Sequence, residues 1–280
     1  MDKSHLSIDQ AEERGFIHRD YISHCFRWSH VVKQLMAGHA FKDAHIIDVG
    51  CGRDQPLPRL LYSNRMTGFD YSGIDINSLR PHEALVTAHT NGKMRVALHS
   101  ETDASVLPLS KLVWGFGTHL VCFECLEHIQ PFIAYRMLQN WKELLADGAQ
   151  LFVSTPVFNG SAAANHINEM GWQTLGSAFE HHGYTVENFY GTFASKSDLM
   201  QIMTDDDRRR YEQLSKYYDS NVLSTIFAPL YPTASRNILW SLRLWKNAET
   251  PRRFPIMLTE DSTELNQNSD IEEIFTGRPA

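Results

Sequence analysis

Apolar residues recur at helical spacing over positions 19–37. Tyr21, Ile22, Cys25, Phe26, Trp28, Val31, Val32 and Leu35 share a stripe, and Gly38 supplies a stop. Beyond it, short apolar runs alternate with helical patterns. Strands are expected at 45–49, 71–76, 94–98, 116–123 and 150–154, near 185–190 and at 237–245; helices are expected at 56–62, at 133–145 and near 172–181. This alternation predicts an α/β fold with a parallel sheet covered on both faces. Residues 195–234 look helical and loop-like and interrupt the alternation before the last strand, as a substrate-side insertion would. The chain therefore divides into a flexible arm (1–18), one domain (19–246) and a mobile acidic tail (247–280), whose polar run carries Pro251, Gly277 and Pro279.

Composition narrows the class. The chain has 280 residues, 42 % of them hydrophobic, which excludes a disordered or collagenous protein and leaves room for an ample core. With 26 basic and 33 acidic residues the net charge is −7, so no global basic field exists to hold duplex DNA. Four cysteines in this length read as reduced thiols, not a disulfide framework. The N-terminus is polar and acidic, unlike a secretory signal. The longest apolar stretch, 112–126, is interrupted by Thr118, His119 and Glu124, so no membrane span is expected. The expected compartment is the cytoplasm.

The strongest chemical signal is His45-Ile-Ile-Asp-Val-Gly-Cys-Gly52, an apolar strand running into a glycine turn and then a helix. Gly50 and Gly52 let a nucleotide-like ligand approach the main chain. A dinucleotide fingerprint would need glycine where Gln55 stands, and no P-loop lysine follows.

The turn resembles motif I of class I S-adenosylmethionine-dependent methyltransferases, and further matches follow in order. Asp75 is similar to the acid that accepts from the ribose hydroxyls, and Asp103-Ala104 to the segment beside the adenine. Glu124-Cys-Leu-Glu-His128 resembles the motif after the fourth strand, and the stretch from Ala146 to Pro156 the turn and fifth strand. The resemblance covers about residues 44–190, with 237–245 as the seventh strand. It implies a seven-stranded Rossmann-like sheet with an N-terminal helix. It also implies S-adenosyl-L-methionine as cofactor, held by Asp48, Gly50, Cys51, Gly52, Asp75, Asp103, Ala104 and Glu124. Asp54 stands where the family usually has a further glycine; its expected role is to cap the helix near Pro56, with Arg53 offsetting its charge.

Glu124, Glu127 and His128 place two hard oxygen donors and an imidazole within one turn, and His166 follows the fifth strand. The four form a candidate set for Mg²⁺ or Mn²⁺. The segment resembles metal-dependent 2′-O-methyltransferases of small-RNA 3′ ends and ubiquinone-pathway O-methyltransferases. Similar segments also occur in class I enzymes without a metal, where the first acid helps close the cofactor site and the histidine caps or packs; without a metal, His128 or His166 is the candidate general base of this chain. His128, His166 and Glu127 are thus the candidate catalytic residues. The expected reaction is methyl transfer, to oxygen first and nitrogen next, on a small molecule, a nucleotide or an RNA end. A silent cofactor-binding scaffold or partner subunit is the alternative. The signatures of C5-cytosine and exocyclic-amino DNA methyltransferases are missing.

Other features have plainer readings. Cys122 and Cys125 are expected to pack in the core. Arg27, Trp28 and His30 would either cover the cofactor or pack on the sheet. The run Asp205-Asp-Asp-Arg-Arg-Arg210 reads as a helix start, and the aromatics of 211–231 mostly as packing.

Overall fold

The computed structural model describes residues 19–37, 43–158, 160 and 162–246; the expected arm and tail lie outside the described residues. The chain runs α1 (Arg19–Ala37), β1 (His45–Val49), α2 (Pro56–Ser63), β2 (Asp70–Ile74), α3 (Glu83–Thr90), β3 (Arg95–His99), β4 (Gly117–Phe123) and α4 (Pro131–Leu144). It continues through β5 (Leu145–Pro156), α5 (Trp172–His181), β6 (Tyr184–Ala194), α6 (Lys196–Ile202), α7 (Asp205–Leu214), α8 (Ser220–Phe227) and β7 (Ser235–Leu244).

The strands form one sheet in the order β3-β2-β1-β4-β5-β7-β6. Every residue of β1 and β2 is buried, as central strands covered on both faces require. Successive residues of β1 serve opposite faces. Ile46 packs with Val31, Leu35, Leu57 and Phe152, whereas Ile47 packs with Leu120, Trp141, Phe179 and Trp240. From β1 the chain steps to β2 on one side, and later to β4 on the other. That reversal opens a crevice beyond the carboxyl ends of β1 and β4, where such sheets take ligands.

Two features differ from the sequence reading. Helix α3 was not expected, because only Leu85 and Ala88 of its residues are buried and so little periodic signal exists. Strand β7 is antiparallel to both β5 and β6, so the sheet is mixed rather than parallel throughout. The segment between β6 and β7 leaves and re-enters at the same end of the sheet, which forces the reversal. That segment forms α6, α7 and α8 around a small core of Leu199, Met203, Tyr211, Leu223 and Phe227. Asp205, Asp206 and Asp207 open α7 behind the Thr204 cap, each paired with an arginine three residues on. No helix among the described residues is long and apolar enough to cross a membrane.

Candidate active site

The turn after β1 is built from backbone. Gly50 has φ 70° and Gly52 φ 69°, conformations that strain any residue with a Cβ, and a Cβ on Gly50 would stand 3.2 Å from Cys125 Sγ. The N–H groups of Gly50 and Cys51 donate to the Ile74 carbonyl at the end of β2. Asp75 Oδ2 accepts from the Gly52 N–H at 2.9 Å, and Oδ1 accepts from the backbone and side-chain N–H groups of Asn77, both at 2.8 Å. One carboxylate thus pins two turns while Oδ2 keeps acceptor capacity.

Asp54 does not cap α2. The cap position belongs to Gln55, at φ 40° and fully buried, with no side-chain bond to the helix. Its amide donates to the carbonyls of Gly52, Arg53 and Arg80, and its oxygen accepts from the His82 N–H. Gln55 is thereby consumed in tying the glycine turn to the start of α3, and Asp54 stays exposed at the rim.

These turns border a cavity of about 1840 Å³. That exceeds the roughly 300–1000 Å³ of a single small-molecule site and leaves room for two ligands. All eight residues expected to contact the cofactor line it. Trp28 lines it too, while Arg27 is buried and His30 packs against Tyr190. Among the described residues, 195–234 contribute nothing to the lining: α8 packs against α1, and α1 supplies that wall. Cys125 lines the cavity with its thiol hydrogen-bonded to buried Cys122, which keeps that pair in a packing role.

Asp48 sits on the floor, 2 % exposed, accepting from Tyr71 Oη–H at 2.7 Å. Burial pushes its carboxyl up to about 7; the Tyr71 bond opposes this and the charge of Asp75 adds to it. An unfolded aspartate ionises near ~3.9. Between these values the folded chain holds the extra proton, so stability falls as pH rises through that window. Asp48→Asn is expected to flatten this slope in ligand-free protein. Relative to wild type, the variant should gain about 2–4 kcal/mol between pH 4 and pH 8. Paired urea titrations at the two pH values check this.

The acid–histidine group lies beside the cavity. The β5–α5 segment is tied to the turn after β4, because the N–H groups of Ile167 and Asn168 both donate to the Glu127 carbonyl. His128 Nδ1 donates to the Asn165 carbonyl at 3.0 Å, and His166 Nδ1 donates to the Glu169 carboxylate. Both bonds make Nδ1 the donor, so the neutral tautomer of each ring carries its lone pair on Nε2. The rings meet edge to face at 4.9 Å, and ligating atoms of Glu127, His128 and His166 all lie within 4.8 Å of one another. Glu127 is 1 % exposed, and burial together with the charge of Glu124 raises its carboxyl well above the usual range.

Glu124 departs from the expected four-ligand set. Its carboxylate accepts from Ser154 Oγ–H at 2.8 Å and from Asn237 Nδ2 at 2.9 and 3.0 Å, and it lies 3.6 Å from Arg27. Those partners engage it elsewhere, and among the described residues the group consists of Glu127, His128 and His166. Sequence reasoning also passed over Glu169, although its position three residues after His166 was a usable signal. Asn165 acts through its backbone carbonyl, and no side-chain pattern marks that.

The sequence matches the family described as a methyltransferase domain over residues 21–203. The chain belongs to this family, and its sheet is that of the class I, S-adenosylmethionine-dependent methyltransferases. No curated protein matches the sequence. Among solved structures, magnesium protoporphyrin IX methyltransferase from Synechocystis PCC 6803 with bound S-adenosylhomocysteine is similar. It is 12 % identical with a TM-score of 0.52, covering 86 % of this chain and 90 % of that one. The same enzyme with S-adenosylmethionine is 15 % identical at TM-score 0.50, covering 86 % of each chain. A Burkholderia thailandensis N1-methyltransferase of 1,6-didemethyltoxoflavin is 14 % identical at TM-score 0.48, covering 78 % of each.

Proposed function

We propose that the protein transfers the methyl group of S-adenosylmethionine to an oxygen of a small molecule, a nucleotide or an RNA end. The observation that carries this reading is the group of Glu127, His128 and His166 beside the cavity, with both imidazole Nδ1 atoms committed as hydrogen-bond donors. A hydroxyl is a poor nucleophile until its proton is removed or its charge is stabilised, and nitrogen acceptors need this help less.

In this reading the glycine turn and Asp75 hold the ribose and methionine parts, and Asp103-Ala104 borders the adenine. His128 lines the cavity and takes the acceptor's proton at Nε2. As the oxygen–methyl bond forms, the sulfur–methyl bond breaks and its electron pair returns to sulfur, which neutralises the sulfonium. Asn165 and Glu169 hold the two rings in orientation, which keeps attack in line.

The donor set also suits a divalent cation such as Mg²⁺ or Mn²⁺. Glu127 would supply an oxygen and His128 and His166 their Nε2 atoms; a ligated Nε2 cannot also take a proton, so this role and the base role of His128 are alternatives. When bound, such an ion would lower the pKa of an acceptor hydroxyl.

The test offers cofactor with a labelled methyl group to pools of metabolites and short RNAs, then repeats any transfer at rising salt. Alkali-stable label on an oxygen is the expected result. An RNA-end acceptor should lose transfer steeply with salt, and a small neutral acceptor should not. Cofactor binding without transfer to either pool would replace this reading with the silent scaffold.

A further inference from the structure

Helix α1 forms a wall of the cavity through Cys25, Trp28, Ser29, Val32 and Lys33. Its buried aliphatic anchors among the described side chains, Val31, Val32 and Leu35, all fall in its C-terminal half. In the preceding turns Phe26 and Trp28 are only partly buried against the same core, and polar contacts add to them. Ser23 Oγ–H donates to Thr192 Oγ1 at 3.0 Å, and Arg27, 2 % exposed, carries a full positive charge into the interior.

That charge meets a prepared set of partners. Arg27 Nη1 donates to Ser23 Oγ at 3.1 Å and to Asn237 Oδ1 at 3.3 Å, and lies 3.6 Å from Glu124 Oε1. Asn237 is 7 % exposed and is oriented by Thr192, whose hydroxyl donates to its Oδ1 at 2.7 Å. Glu124 is held from its own side. Its φ is 51°, a conformation costly for a residue with a side chain, and its N–H donates to the Ser154 carbonyl at 2.9 Å. The strained turn presents the carboxylate to α1 while the same residue lines the cavity. An ion pair with its guanidinium buried and its carboxylate 28 % exposed is a weak source of net stability compared with apolar packing, and the better-attested use of such pairs is to specify one arrangement.

We propose that Arg27 is a positioning residue that fixes α1 as a wall of the cavity through Glu124, so that cofactor affinity depends on this pair. The proposal rests on the reading that the cavity takes the cofactor. Loss of the pair leaves the turns around Ser23–Ser29 docked for only part of the time, and apparent affinity falls by the docked fraction. A helix docked one tenth of the time binds about tenfold more weakly.

The test measures S-adenosylhomocysteine binding by calorimetry and amide hydrogen exchange over residues 22–29. The proteins are wild type, Arg27→Met, Arg27→Lys, Glu124→Gln and the double variant Arg27→Met/Glu124→Gln. Arg243→Met is the control, because it breaks the Arg243–Glu187 pair at the opposite end of the sheet. Arg27→Met is expected to bind about tenfold or more weakly with faster exchange over 22–29. Arg27→Lys should be intermediate because it keeps the charge. The double variant should lose less affinity than the product of the two single losses, the signature of a coupled pair. Wild-type affinity in Arg27→Met, or an equal loss in Arg243→Met, overturns the proposal. Should wild type itself not bind, the cofactor reading fails separately; unchanged exchange over 22–29 in Arg27→Met then overturns the positioning role too.

Discussion

Asp75→Ala is expected to weaken S-adenosylhomocysteine binding by about a hundredfold or more. The carboxylate holds the Gly52 N–H through one oxygen and Asn77 through the other, and retains acceptor capacity toward the cavity. Its loss removes two effects at once. In the proposed cofactor reading the ribose would lose charge-assisted hydrogen bonds of about 1.5–3 kcal/mol each, and the glycine turn loses the contact that fixes its N–H groups. Two such bonds correspond to at least a hundredfold in affinity. Asp75→Asn should fall between, since the amide oxygen still accepts from Gly52 while the charge is gone. Calorimetry on all three proteins, with matched circular dichroism, reads the result. Wild-type affinity in Asp75→Ala would sink the cofactor assignment for this cavity.

The second large effect concerns the acid–histidine group. Wild type is expected to bind one Mn²⁺ per chain, and His128→Ala, His166→Ala and Glu127→Gln should each abolish that isotherm. Methyl transfer should fall about 10²–10⁴-fold in His128→Ala, the range for loss of acid–base assistance. Glu124→Gln should leave the Mn²⁺ isotherm intact, because its carboxylate is committed to Ser154, Asn237 and Arg27. Glu169→Gln should weaken the ion roughly 10–100-fold, the usual cost of losing a partner behind a ligand. If transfer falls in His128→Ala while no Mn²⁺ binds to wild type, the histidine acts as the base and the ion reading fails. A normal isotherm in Glu127→Gln would remove that carboxylate from the ligand set.

Much of the cavity's lining was legible because its signals are local. A buried strand, a glycine turn and an acid closing the next strand are each set by neighbours in the chain, and their order follows the alternation of strands and helices. The places where reading failed share a cause. Helix α3 buries only Leu85 and Ala88, so pattern alone could not announce it. Gln55 displaced Asp54 as the residue entering α2 because its side chain is drawn to Arg80 and His82, a contact no local preference encodes.

Along the chain, composition and periodicity were enough to specify an α/β sheet, its glycine turn and the carboxylates that close its strands, because each depends on residues a few positions apart. Folding decided which of those carboxylates do the same work. Glu124 and Glu127 are three positions apart, yet the left-handed turn at Glu124 sends one toward Arg27 and Asn237 and leaves the other beside His128 and His166. Asn165 reaches His128 across 37 residues and Arg27 reaches Asn237 across 210. Distances of that kind follow from the stacking of strands in the sheet, which brings chain ends together without regard to their separation in sequence.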